Sequence, residues 1–218
     1  MSEVSFLLNP GASAFGQAVH TSDQHVQQIK STALVSAFFS RNDLAGLMAQ
    51  QNCMGLRFYP AFDSAGQFSL LAIAIDYEKN DIASYCLVAE GQGGAYRLTA
   101  AQATGMLGEV QNAMHQAAQQ GQGASMPMFT ESGAHGALYA KAAFKSGDIS
   151  SLLDSGAAGI RFFSTRIIFN TGGQSFSTLA AVAVDGSGQE SWEALVSTLP
   201  CPPNCGGGGY INRASTIG

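Results

Sequence analysis

Two cysteines separated by two prolines and an asparagine form the most distinctive local motif of the sequence, Cys201-Pro-Pro-Asn-Cys205. A Cys-x3-Cys pair can supply two thiolates to zinc, but a structural zinc site needs four ligands. No second paired spacing is present among the scattered candidates: Cys53, Cys86, His20, His25, His115 and His135. We interpret the motif as a structural turn with or without a disulfide, and keep metal, redox and attachment chemistry as alternatives.

Arg57 and Arg161 occupy matching places in two copies of a Gly-Leu/Ile-Arg-Phe motif. Two such guanidinium groups beside aromatic residues could bind a carboxylate or a phosphate. The alternative is internal ion pairing, because unpaired charge is rarely buried. Asp76 and Asp185, which also match between the copies, are the expected partners. We predict internal ion pairs and keep both arginines as candidate ligand-binding residues.

A catalytic centre is not identifiable from residue spacing. There is no Gly-x-Ser-x-Gly elbow, and the glycine runs at 91–94 and 206–209 lack the Lys-Ser/Thr of a phosphate loop. We therefore predict no catalytic residue, no metal site and no cofactor. A hydrolase whose polar residues cluster only in the folded chain remains an alternative.

Two similar segments within the chain indicate an internal duplication, with halves related by a pseudo-twofold axis. The matching stretches are 37–48 with 142–153, 55–59 with 159–163, and 70–76 with 179–185. Each half is predicted to hold two helices and a β-hairpin. The first half has a helix from Thr21 or Ser22 to Phe38, a short helix capped by Asn42 or Asp43 and ending at Met48, strands 54–62 and 68–76, and a further strand 84–89. The second half has helices 137–145 and 148–153, then strands 160–169 and 176–185.

Both faces of the hairpin strands are apolar, so we expect them to be central and covered on both sides. A capping box at Thr99 and Gln102 predicts a long helix that ends near Gly121. The predicted fold class is α+β, with internally duplicated helix–helix–β-hairpin units and central antiparallel strands covered by helices. The predicted divisions are an N-terminal arm (1–20), a first repeat (21–97), a linking helix (98–124), a second repeat (125–199) and a Cys-Pro-Pro/Gly-rich C-terminal arm (200–218).

Charged residues make up only 11% of the 218 residues, against about 25% in typical globular domains. A net charge of −5 without basic runs argues against nucleic acid as a partner. The apolar runs are shorter than the roughly 20 residues that span a bilayer. The first residues lack the basic and long apolar regions of a signal peptide, which favours a cytoplasmic location, with export without a cleavable signal left open.

Low charge is typical of surfaces that meet other subunits, whose interface cores are depleted in charge. We therefore predict a structural or assembly protein, a self-associating homo-oligomer that forms a filament, sheath, cap or shell, with other protein subunits as further partners. One alternative is a regulatory module that binds a small ligand or anion between the repeats, near Arg57 and Arg161. The other is the hydrolase named above.

Four features together resemble a group of small bacterial proteins without a known activity. They are a Phe-x-x-x-Asp-Leu/Ile segment at Phe39 and Phe144, the Gly-Leu/Ile-Arg-Phe motif, an apolar strand ending in Asp, and Cys201-Pro-Pro-Asn-Cys205-Gly. The resemblance covers 37–76 and 142–206. It departs in the first copy, which has only Cys86 near the place of the cysteine motif. It implies a regular fold and no mechanism.

Overall fold

The computed structural model describes residues 19–21, 23–91, 93–122, 126, 142–154, 156–168 and 175–197. The predicted C-terminal arm, with Cys201 and Cys205, lies outside the described residues. So do residues 1–18 of the predicted N-terminal arm, most of the predicted helix 137–145 and the turn between the last two predicted hairpin strands.

Four helices and ten strands make up the described part of the chain. The helices are α1 (Asp23–Thr32), α2 (Arg41–Met48), α3 (Ala100–Gln119) and α4 (Ser146–Asp154). The strands are β1 (Val19–Thr21), β2 (Ser36–Ser40), β3 (Gly55–Phe62), β4 (Phe68–Ile75), β5 (Asp81–Ala89), β6 (Ala95–Leu98), β7 (Ala142–Lys145), β8 (Gly159–Ile168), β9 (Ser175–Val184) and β10 (Glu190–Val196).

The strands form two five-stranded antiparallel sheets, which confirms the α+β class. The first sheet has the order β1-β10-β9-β8-β2 and the second has the order β6-β5-β4-β3-β7. Both predicted hairpins are present, and β4 and β9 lie in the middle of their sheets as expected. The helix α3 begins at the predicted capping box, in which the Thr99 hydroxyl accepts a hydrogen bond from the Gln102 backbone N–H.

The order strand-helix-strand-helix followed by three strands occurs twice along the chain. We call β1 to β5 with α1 and α2 the first unit, and β6 to β10 with α3 and α4 the second unit. Each sheet takes its three inner strands from one unit and both edge strands from the other. Neither sheet is therefore complete without both units.

The apolar residues divide into one core between the sheets and two outer cores. Helices α2 and α4 contribute to the inner core, α3 covers the outer face of the second sheet, and α1 covers the outer face of the first. The chain thus forms four layers, in the order α3, second sheet, first sheet and α1. The alternation of strand side chains explains this, because successive residues of β3 face α3 and the inner core in turn.

Four phenylalanines lie at the centre of the inner core, two from each unit: Phe39, Phe58, Phe144 and Phe162. The rings of Phe58 and Phe162 are 4.2 Å apart between centroids. Phe39 lies 5.9 Å from Phe58, and Phe144 lies 5.7 Å from Phe162. The rings of Phe39 and Phe162 are 6.0 Å apart, and those of Phe58 and Phe144 are 5.9 Å apart. The cluster therefore has nearly the same geometry when the units are interchanged.

Glycine is required where the edge strands β2 and β7 meet the inner strands of the other unit. Gly55 pairs with Lys145, and Gly159 pairs with Ser40. A Cβ atom at Gly55 would collide with the backbone oxygen of Phe144, and one at Gly159 would collide with that of Phe39. The glycine of the Gly-Leu/Ile-Arg-Phe motif thus permits the close approach of the edge strand from the other unit.

Several predicted elements were wrong in type or extent. The helix predicted to reach Phe38 ends at Thr32, and 36–40 forms β2. Residues 142–145, predicted as helix, form β7. These short segments alternate buried and less buried residues with the period of a strand, and pairing with the other unit outweighs local helix preference. The units therefore do not have the predicted helix–helix–hairpin order.

The predicted linking helix (98–124) corresponds to the long helix α3. It follows an edge strand and covers a sheet, as α1 does in the first unit. The strands β1 and β6 were not predicted, because each is only three or four residues long. The cap of α2 is Ser40 rather than Asn42 or Asp43, with Asp43 completing a capping box.

We expect Gly55→Ala to destabilise the protein by about 2–3 kcal/mol, because the new methyl group overpacks the junction with β7. Gly105→Ala is the matched control, since Gly105 is helical and a Cβ there meets no atom within 4 Å. This control should stabilise the protein by about 0.5–1 kcal/mol. Urea unfolding measures both, and equal effects of the two substitutions would refute the role assigned to Gly55.

Candidate functional site

An ion pair between Arg57 and Asp81 is buried in the outer core of the second sheet. Arg57 Nη1 donates to Asp81 Oδ1 at 2.8 Å, and Arg57 Nη2 donates to the backbone oxygen of Lys79 at 2.8 Å. The Tyr59 hydroxyl donates to Asp81 Oδ2 at 2.9 Å. The Asp81 side chain is fully buried. Both of its oxygens therefore have partners, as a buried carboxylate requires.

Strand geometry brings these groups together. Arg57 and Tyr59 are two residues apart on β3, so their side chains share the face toward α3. Asp81 begins β5 opposite Ile75, and a bulge follows it before the pairing resumes. Burial raises the pKa of Tyr59 well above its ordinary value, so this hydroxyl stays protonated and acts as a donor.

The second unit has a corresponding ion pair between Arg161 and Glu190, which is more exposed. Arg161 Nε lies 2.7 Å from Glu190 Oε1, although its N–H lacks a well-aligned hydrogen bond. Lys30 of α1 binds the other oxygen of Glu190 at 2.7 Å. The Arg161 guanidinium also lies over the Phe38 ring, 5.6 Å from its centroid. Phe163 stands in the place of Tyr59, so the pair has no tyrosine hydroxyl.

Arg57 and Arg161 both form internal ion pairs, as predicted, but their partners are not Asp76 and Asp185. Each instead closes the turn after a central strand, where its Oδ1 accepts the N–H of the residue four positions later. The turns place Lys79 and Gly188 at positive φ, 63° and 85°. A short polar side chain that binds nearby backbone favours such turns. The matching acids five residues further on, Asp81 and Glu190, were the missed signal.

The two arginines do not converge on one pocket. Arg57 points to the side of its sheet that α3 covers, beside Tyr59. Arg161 shares the face of Phe163, which packs against α1 on the other outer side of the molecule. A shared ligand site between the units would need both side chains to face the inner core.

The described cysteines are poorly suited to thiolate chemistry. Cys86 is buried, and burial raises its pKa to about 12. Burial also raises the pKa of Cys53. Within the described ranges, no three His, Cys, Asp or Glu side chains are placed to hold a metal ion. Cys201 and Cys205, the candidate metal or disulfide residues, lie outside those ranges.

None of the described helices is both long enough and apolar enough to cross a membrane. No family model matches the chain, and no curated protein or solved structure matches it either. The resemblance to small bacterial proteins with a Gly-Ile-Arg-Phe/Tyr strand therefore stays a prediction.

We expect Asp81→Ala to cost about 3–5 kcal/mol of unfolding free energy, because it leaves Arg57 charged and buried without its carboxylate. Glu190→Ala is the matched control in the second unit, where the charges are partly exposed, and should cost about 1 kcal/mol or less. Chemical denaturation monitored by circular dichroism checks the difference. Equal costs would contradict the structural role of the buried pair.

Proposed function

We propose that the two units descend from an internal duplication and that the protein is a self-associating structural subunit. The repeated element order, the matching glycines and the matching ion pairs support the duplication. An ancestral homodimer that exchanged edge strands would acquire the present arrangement when its two copies were fused. The duplicated fold supplies a rigid body, and its surface supplies the contacts.

The surface of this body is poorer in charge than the composition alone suggests. Arg57 and Asp81 are buried together, and Glu190 is paired with both Lys30 and Arg161. A soluble monomer normally carries many interspersed charges to prevent association. Fewer charges lower the desolvation cost of bringing two copies into contact, which favours assembly.

Large exposed apolar side chains at one end of the second sheet are the observation that carries the proposal. The Met54 backbone N–H donates to Ile75, two residues before Tyr77, so Met54 and Tyr77 flank the place where β3 begins and β4 ends. Met54 is 45% exposed and Tyr77 is 74% exposed. We call these two side chains the Met54–Tyr77 surface. Aromatic and methionine side chains are enriched at protein interfaces, and we assign this surface to contact with a second copy.

The proposal predicts a mass above that of one 22.6 kDa chain, rising with protein concentration. Sedimentation velocity over a wide concentration range measures this for the full chain. The double substitution Met54→Ser with Tyr77→Ser should weaken association at least tenfold, because burying one such side chain contributes about 1.5–3 kcal/mol. A single 22.6 kDa species at every concentration would refute self-association.

Glu78→Gln provides the control in the same turn, since it changes an exposed polar group and retains both apolar side chains. Association of this variant should equal that of the original chain or slightly exceed it. If the double serine variant assembles as strongly as the original chain, the Met54–Tyr77 surface is not the contact. The alternative of an anion site between the units has less support, because both arginines already have carboxylate partners.

A further inference from the structure

An open cleft of about 230 Å³ lies at the end of the first sheet where β9 ends and β10 begins. The buried residues Ala157 and Ala183 form its apolar floor. The remaining lining side chains are an aromatic residue and four polar ones: Trp192, Asp185, Gln189, Glu190 and Ser191. Its volume is below the roughly 300–1,000 Å³ of sites for drug-sized ligands, so it suits a single small ring.

Trp192 is the only tryptophan of the chain and is 68% exposed. A bulge presents it, because residues 191–193 stand opposite Ala183 alone between two regular strand pairs. Bulges commonly redirect a side chain next to a functional site. The indole is therefore held on β-structure at the wall of the cleft, with an apolar face available to a ligand.

The polar side of the cleft is positioned by the turn that follows β9. Asp185 Oδ1 accepts hydrogen bonds from the Ser187 N–H, the Ser187 hydroxyl and the Gln189 N–H, at 2.8, 2.6 and 2.9 Å. The hydrogen bond from the Ser187 side chain and those from the backbone lower the pKa of Asp185, which is ionised at neutral pH. These three hydrogen bonds all go to Oδ1, and Oδ2 belongs to an exposed side chain. Oδ2 can therefore accept one from a ligand hydroxyl.

The local charge is close to balanced. Glu190 is paired with Lys30 and Arg161, which leaves Asp185 and these three groups with no net charge together. A cationic ligand would thus gain little attraction from the cleft as a whole. A neutral molecule with an apolar ring face and a polar rim matches the surfaces that line it.

The first unit lacks an equivalent cleft wall within its described residues. Its bulge, 82–85, turns Ile82 and Tyr85 toward the inner core, and Arg97 stacks on Tyr85 at 3.8 Å. The turn itself is alike in the two units, with Asp76 and Asn80 in place of Asp185 and Gln189. The combination of an outward tryptophan with this turn is therefore particular to the second unit.

We propose that this cleft binds one ring of a neutral saccharide. The C–H face of the ring stacks on Trp192, and ring hydroxyls bind the Asp185 carboxylate and the Gln189 side-chain amide. Aromatic stacking supplies the apolar contact, and the two polar groups orient the ring. This inference does not depend on self-association of the chain.

The fluorescence of the single tryptophan reports directly on the site. We expect a saturable change when the full-length protein is titrated with glucose, galactose, mannose or their β-linked disaccharides, with a Kd of about 1 mM or lower for at least one. Gln189→Ala should weaken that binding about fivefold through loss of one hydrogen bond. Trp192→Ala, followed by calorimetry, should weaken it more than tenfold, with an unchanged circular dichroism spectrum.

Asn80→Ala is the control, because it changes the corresponding turn of the first unit and should leave the Kd within about twofold. Choline chloride tests the rival ligand class, a cation held by the indole face. The proposal would be overturned if choline gave a saturable response and no saccharide did. It would also be overturned if none of the tested saccharides gave a saturable response. Equal weakening by Asn80→Ala and Gln189→Ala would place the site elsewhere.

Discussion

The edge strands β2 and β7 cross from their own units to complete the sheets of the other, and the rest of the structure depends on this crossing. It occurs at Gly55 and Gly159, where a Cβ atom would strike the backbone of the incoming strand. The crossing brings Phe39 onto Phe162 and Phe144 onto Phe58 in the inner core. Because each sheet lacks both edges without the other unit, we regard the two units as one cooperative body.

The outer layers show where the two units differ in chemistry. In the first unit, Arg57 and Asp81 are buried with Tyr59, so their charges are confined to the interior. In the second unit, the corresponding acid Glu190 is partly exposed and lines a cleft beside Trp192. The same backbone position thus supports packing in one unit and an accessible polar surface in the other. We place ligand binding in the second unit for this reason.

The sequence was informative where the periodicity was strong and the contacts were local. Both hairpins follow from apolar segments that flank turn residues, and the start of α3 follows from the capping box at Thr99. Together these elements predict the α+β class. The strands β2 and β7 were missed because their partners are more than 80 residues away, and short Ala-Phe segments fit a helix equally well. We predicted Asp76 and Asp185 as partners of the arginines, but the partners are the acids five residues later, Asp81 and Glu190. Each of these acids lies next to a β-bulge, which the sequence did not reveal. The Trp192 cleft brings Ala157 next to residues of 183–192, and no sequence pattern indicates that these residues line one cavity.

Cross-strand nuclear Overhauser effects in isotope-labelled protein test the exchange most directly. We expect backbone contacts between Phe39 and Ile160 and between Leu56 and Phe144, which are paired across the units. These contacts should persist when labelled and unlabelled chains are mixed, because both partners belong to one chain. Backbone contacts that instead pair 36–40 with 55–62 of the same unit would contradict the account.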